Sequence, residues 1–294
     1  MLMGLIGDKK PSGGGGGLDP DTTAWVNQVV SNGGSVSTTS KGFVDTLVKA
    51  FKADTTICPA GNLNDTIDQL WLTANFDTTG SNQTTDAQAL TSLVNPTAAT
   101  ALATPHGSWT SNTLGWKGNG TDGYIDLGYN PTTFTGAKFS QNSACYGVYG
   151  LDTRASTDSK IAIGAFAGGT INQLLIDPVS AAVDGINDGG GMDSVGNEIG
   201  LNILIRSGSA GANANQIQTY SGGTTSKTGI NTSSAPSNIK FFACARNNNA
   251  TPDSFETVKI GLIFIGGRSG TNAAYAAALF TPIQAYMTSL GIQQ

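Results

Sequence analysis

The strongest constraint on this chain is a recurrence of short apolar runs between residues 114 and 266, each closed by glycine, asparagine, serine or aspartate. They fall at 143–151, 160–166, 170–176, 201–206, 215–220, 239–246 and 258–266. With an opening hairpin at 114–131 they amount to about nine short strands, the spacing of an antiparallel β-sandwich or jelly roll. The fold class expected is mainly β, with helices confined to the two ends.

The opening segment, L-G-W-K-G-N-G-T-D-G-Y-I-D-L-G-Y-N-P (Leu114–Pro131), reads as strand, glycine turn and strand. Ile125 and Leu127 alternate with Tyr124, Asp126 and Gly128, so one face is expected to be buried. Gly118, Gly120 and Gly123 also match the G-x-G-x-x-G spacing of a dinucleotide loop. That loop works by pointing a helix N-terminus at a pyrophosphate, and the segment after Gly123 is strand-like and ends in proline. A glycine-turned hairpin is the reading carried forward.

Helical periodicity is confined to the ends. Residues 19–78 read as a small helical unit. One helix begins at Asp19-Pro20 with Trp25, Val26, Val29 and Val30 on a face, and a second carries Phe43, Val44, Leu47, Val48 and Phe51. The stretch N-D-T-I-D-Q-L-W-L suggests a third short helix or an extended piece. Residues 79–113 form a loop-rich connector, and 114–294 the sandwich with its closing helix. That helix places Tyr275, Leu279, Ile283, Tyr286 and Leu290 on a broad face before Gly291, and Pro282 is expected to kink or split it. The run Gly261–Gly267 is too apolar for an exposed edge and predicts a central strand under that helix. Residues 1–18 precede all this as an arm. An apolar tip of Leu2, Met3, Leu5 and Ile6 is tethered by Gly13–Gly17 and suited to docking on a neighbouring subunit.

Composition narrows the function classes. A formal net charge of −5 in 294 residues argues against a nucleic-acid partner, which requires a basic face to displace counterions. No apolar run reaches the roughly 20 residues of a membrane span. The start M-L-M-G-L-I-G-D-K-K lacks the layout of a secretory signal, and the three cysteines, Cys58, Cys145 and Cys244, leave at least one unpaired. Synthesis in a reducing cytoplasm is expected.

Four chemistries are open to the residues present. His106 is the chain's one histidine, and no G-x-S-x-G elbow accompanies it, so an exposed loop histidine is expected there rather than a catalytic one. Calcium could use Asp184, Asp188 and Asp193 in D-G-I-N-D-G-G-G-M-D, although the EF-hand spacing is missing and such loops are common turn chemistry. A glycosidase needs paired carboxylates, and Glu198 and Glu256, the only glutamates, lie in no cluster. Aromatic stacking on sugar rings is the fourth. Trp109 and Trp116 are the candidate ligand-binding residues, in a stretch that also holds Tyr124, Tyr129, Tyr146 and Tyr149. No cofactor and no metal site is expected.

Two features carry a resemblance. W-K-G-N-G-T-D-G-Y-I-D-L-G is similar to the first strands of laminin-G-like or concanavalin-like sandwich domains. The blocks A-W-V-N-Q-V-V-S-N-G-G-S-V-S and F-V-D-T-L-V-K-A-F-K-A-D ahead of I-D-Q-L-W-L resemble the leader of bacteriophage virion proteins that place such a block before a sandwich. Those proteins also close with a strand like I-G-L-I-F-I-G and a helix ending in A-Y-M-T-S-L-G. The resemblance implies a non-enzymatic tail, fibre or capsid-associated component of a virion. Its partners would be other virion proteins and copies of itself, with a host surface glycan as the alternative ligand and recognition as the alternative role. It implies no catalytic set. The glycine-rich arm and the long segment 77–113 depart from the pattern.

Overall fold

The computed structural model describes residues 17–77, 86–111, 114–153, 160–175, 183–190, 192–193, 199–208, 217–222, 224–229 and 231–292. Two helices come first, α1 (Pro20–Ser31) and α2 (Thr38–Ala53). Each is opened by the cap its sequence offers. Asp19 Oδ1 accepts the Asp21 N–H and Ser37 Oγ accepts the Ser40 N–H, satisfying donors that the first turn cannot. A 3-10 turn leads to β1 (Ile67–Trp71), and one helical turn, α3 (Ala87–Leu90), follows. Next come β2 (Thr104–His106), β3 (Trp109–Ser111), β4 (Lys117–Gly118), β5 (Tyr124–Asp126), β6 (Ala144–Gly150), β7 (Ile163–Ala167) and β8 (Thr170–Leu174). Then follow β9 (Val183–Asp188), β10 (Met192–Asp193), β11 (Gly200–Arg206), β12 (Ile217–Ser221), β13 (Thr224–Gly229) and β14 (Phe242–Ala243). The chain closes with β15 (Arg246–Asn248), β16 (Thr251–Asp253), β17 (Ile260–Gly266) and α4 (Asn272–Ser289).

One sheet has the order β1-β17-β6-β11-β12-β13, antiparallel throughout. The other has the order β10-β9-β8-β7-β14-β5-β2, with β15 parallel to β7 and β16 hairpinned onto β15. Side-chain alternation decides how they stack. On β17, Leu262 and Phe264 join the cluster of Trp25, Val44, Phe51, Tyr275 and Leu279 from the helices. Ile263 and Ile265 join Ile125, Leu127, Ile163 and Phe241 from the second sheet. β6 repeats the division, with Tyr149 on the first face and Tyr146 on the second. The six-stranded sheet is therefore the middle of three layers, helices on one side and the larger sheet on the other. Strands covered on both faces read as unbroken apolar runs, which is why I-G-L-I-F-I-G shows no alternation of its own.

The strand partners correct several expectations. The hairpin across 114–131 does not form: β4 pairs with β3, while β5 pairs with β2 and β14. The turn itself is present, because Asn119 Oδ1 accepts the N–H groups of Thr121, Asp122 and Gly123, yet its two arms diverge to distant partners. Of the two forms expected for I-D-Q-L-W the extended one is present: β1 joins β17 in the sheet, and the helices and this sheet share one core. Within the segment expected to be loop-rich, α3, β2 and β3 are formed. The run 239–246 is not one strand; Cys244, at φ 58°, turns the chain between β14 and β15. α4 runs through Pro282 unbroken. Proline removes one helical hydrogen bond, but Tyr275, Leu279, Ile283, Tyr286 and Met287 all seat α4 in the core, and that burial holds both halves in line.

Candidate functional site

One departure from sheet regularity buries a carboxylate, at Asp68. β1 pairs Ile67 with Gly266 and Gln69 with Ile265, so Asp68 is an extra residue in the ladder, a bulge that re-aims its side chain. Gly266 makes room for it, since a Cβ there would lie 2.3 Å from the Thr66 carbonyl oxygen. The Asp68 carboxylate is 1% exposed and accepts three bonds: from Lys138 N (2.7 Å) on Oδ1, and from Phe139 N (3.0 Å) and Tyr129 OH (2.7 Å) on Oδ2. Its backbone carbonyl accepts Asn95 Nδ2 at 3.2 Å. Burial raises the Asp68 carboxyl above its ordinary value, and the three donors offset part of that. Burial, with the adjacent Asp68 charge, pushes the Tyr129 phenol well up, so it stays a neutral donor.

Asp68 thereby pins two loops. On one side, residues 95–101 make consecutive turns, Ala98 N to Asn95 O (3.0 Å) and Ala101 N to Ala98 O (2.9 Å). Asn95 begins them at φ 49°, a left-handed conformation that asparagine tolerates. On the other side, Phe134 N bonds Asn130 O (2.9 Å) and Ala137 N bonds Phe134 O (3.3 Å) ahead of the clamped Lys138 and Phe139. Between the loops lies a cleft of about 550 Å³, lined by Asn64, Asn95, Thr97, Thr100, Phe134 and Lys138 among others. Phe134 is half-buried, its ring 5.1 Å from that of Tyr129. A second hollow of about 330 Å³ continues past Asn64, Asn95 and Thr97 toward Asp21 and Ala24 of α1.

The sequence-predicted candidates lie elsewhere. Trp116 is fully buried, bridged to Ile260 and packed between the sheets, so it presents no ring to a ligand and its expected role is corrected. Trp109 is partly buried against the same core. Tyr129, Tyr146 and Tyr149 are interior as well. Leu2, Met3, Leu5 and Ile6 fall outside the described residues, as do Glu198 and the side chain of Asp193. His106 is exposed, at a strand end rather than in a loop, and stacks on Tyr124 at 4.7 Å. Glu256 is buried, its Oε1 accepting the N–H groups of Thr257 (2.7 Å) and Val258 (3.0 Å).

Asp184 and Asp188 are not loop residues but buried members of β9. Asp184 accepts Leu175 N at 2.8 Å, and Asp188 faces the buried Arg206 at 3.6 Å. Among the described residues, no three His, Cys, Asp or Glu side chains converge on a point where a metal would sit. The cleft residues form no motif along the sequence. The one signal there is Asp68 itself, a carboxylate flanked by Ile67, Leu70 and Trp71 in a short strand.

No protein-family model matches the chain, and no curated protein matches it. Among solved structures it is similar to domain 4 of a GH43 extracellular arabinanase from Geobacillus stearothermophilus, in complex with arabinotriose. That match has 16% identity and a TM-score of 0.41, covering 72% of this chain and 100% of the other. Trypanosoma rangeli sialidase in complex with the inhibitor DANA matches at 14% identity and a TM-score of 0.43, with 82% of this chain covering 38% of the sialidase chain. A T. rangeli sialidase mutant displaying trans-sialidase activity matches at 13% and 0.42, over 84% of this chain and 39% of the other. At these scores the likeness says nothing of chemistry.

Proposed function

We propose that the chain is a non-enzymatic structural component of a bacteriophage virion, from the tail, a fibre or the capsid surface, built on a concanavalin- or laminin-G-like jelly roll. The observation that carries this reading is the single core shared by α1, α2, α4 and the six-stranded sheet. It joins the leader, sandwich and closing helix, the segments whose order resembles those virion proteins, in one packed body. The buried carboxylates fit a structural role, since Asp68, Asp184, Asp188 and Glu256 are all held by internal bonds or ion pairs. Copies of the chain and other virion proteins are the expected partners, met through the arm and the sandwich surface after synthesis in the host cytoplasm. Mass spectrometry of purified particles tests this: the chain should be present at many copies per particle, and its absence from clean particles would overturn the reading.

A second reading, recognition of a surface glycan, is favoured by the cleft beside Asp68, half of whose lining residues are asparagine or threonine. Trp116→Ala would report on folding rather than on binding, so glycan tests should leave that residue intact.

A further inference from the structure

Resting on the recognition reading, we infer that the paired hollows between loops 95–100 and 133–138 and the start of α1 form one extended site for a linear, uncharged oligosaccharide. Size and shape point there first. The larger hollow, at about 550 Å³, falls inside the roughly 300–1,000 Å³ of small-molecule sites. The smaller continues it across Asn64, Asn95 and Thr97, so the site is long rather than deep.

The lining selects the chemistry. Asparagine and threonine side chains donate and accept along both hollows, and the half-buried Phe134 ring is the aromatic surface among them. The Thr100 hydroxyl in the wall has no hydrogen-bond partner among the described residues. The carboxylates of the site are already answered. Asp68 is held by three donors and Asp21 pairs with Lys52 at 3.1 Å, which leaves the exposed Lys138 as a single cation at the rim among the described residues. Neutral hydrogen-bonding groups beside one ring suit a polyol with apolar C–H faces, whereas an anion would meet only the single rim cation Lys138 and a lipid tail would meet polar walls.

Added strands are disfavoured as well. The outer edge of β1 is covered, because Leu93 N bonds Leu70 O (2.6 Å) and Leu70 N bonds Ser92 Oγ (3.0 Å), so a peptide cannot extend the sheet here. Both walls are tied to Asp68 beforehand, which lowers the ordering cost of binding.

The test uses the full chain and immobilised neutral hexose and N-acetylhexosamine oligomers, with sialylated oligomers as the charged contrast. Thr97 is exposed and lines both hollows, so Thr97→Trp fills them without touching the core. Neutral oligomers should bind the parent, and Thr97→Trp should weaken them by about tenfold or more at an unchanged melting temperature, with Phe134→Ala weakening them too. Equal binding by parent and both variants would move the ligand elsewhere and overturn the site while sparing the recognition reading. Binding of sialylated oligomers alone would overturn the uncharged class. Silence across every oligomer would remove the recognition reading and this site with it.

Discussion

The Asp68 carboxylate holds the 129–139 segment through three donors, all of which need an accepting oxygen there, while the Asp68 backbone carbonyl holds Asn95 of the other loop. Asp68→Asn sets an NH2 against one of those donors, and we expect it to cost about 2–4 kcal/mol in urea unfolding. The pH dependence has a definite sign. Burial raises the carboxyl, so the folded chain holds a proton where the unfolded chain has lost it. That contribution is fully present below the ordinary aspartate value of about 3.9 and is lost as pH rises through the raised folded value. The advantage of the parent over Asp68→Asn should therefore narrow as pH rises through that window; a widening gap would contradict the assignment. The cysteines make a second residue-scale case. Cys58, Cys145 and Cys244 are free and buried, and burial pushes all three thiols up, Cys58 to about 12 with Asp65 adding to it. The native protein at about pH 8 should leave an aromatic disulfide reagent unreacted, with all three thiols titrating after denaturation. A full equivalent from native protein would place one of them at the surface.

Among the elements, β17 and β6 carry the middle layer. Gly147 of β6 lies opposite Phe264 of β17, and an added Cβ would come 2.6 Å from the Phe264 ring and 2.7 Å from the Asn202 carbonyl oxygen. Because one of those neighbours is backbone, Gly147→Ala should cost about 1–3 kcal/mol, measured as a lowered urea midpoint. Phe264→Asp should cost more, about 3–5 kcal/mol, through an unpaired charge among apolar side chains; a variant that melted like the parent would misplace the core. Elements with local causes are legible in the sequence. α1, α2 and α4 announce themselves by caps and apolar stripes, and β17 by a run too apolar for an edge. Elements with distant causes are not. The Asn119 turn is written locally, but only the fold shows that β5 leaves it for β2 and β14. β1 stays open between helix and extended chain in the sequence because the Asp68 bulge breaks its alternation. The cleft is hidden, since Asn95, Thr97 and Phe134 meet only after Asp68 has drawn their loops together.

At the scale of the molecule, the helices at the two ends are not appendages. Trp25 near the start and Tyr286 near the finish belong to the cluster that also holds Leu201, Ile203 and Ile205 of β11, and the Tyr286 hydroxyl bonds the Ala74 carbonyl at 3.0 Å. Asp19 N bonds Asp45 Oδ1 at 2.6 Å, so removing residues 1–18 stops short of the first fixed contact of α1. On the proposed virion role, the shortened protein should fold and melt like the parent yet fail to enter particles; normal incorporation would dispose of a docking arm. The central claim is that helices and sheets form one body, and calorimetry of the full chain addresses it directly. A single transition with equal calorimetric and van't Hoff enthalpies is predicted, whereas two separate transitions, one for residues 19–78 and one for 114–294, would contradict it.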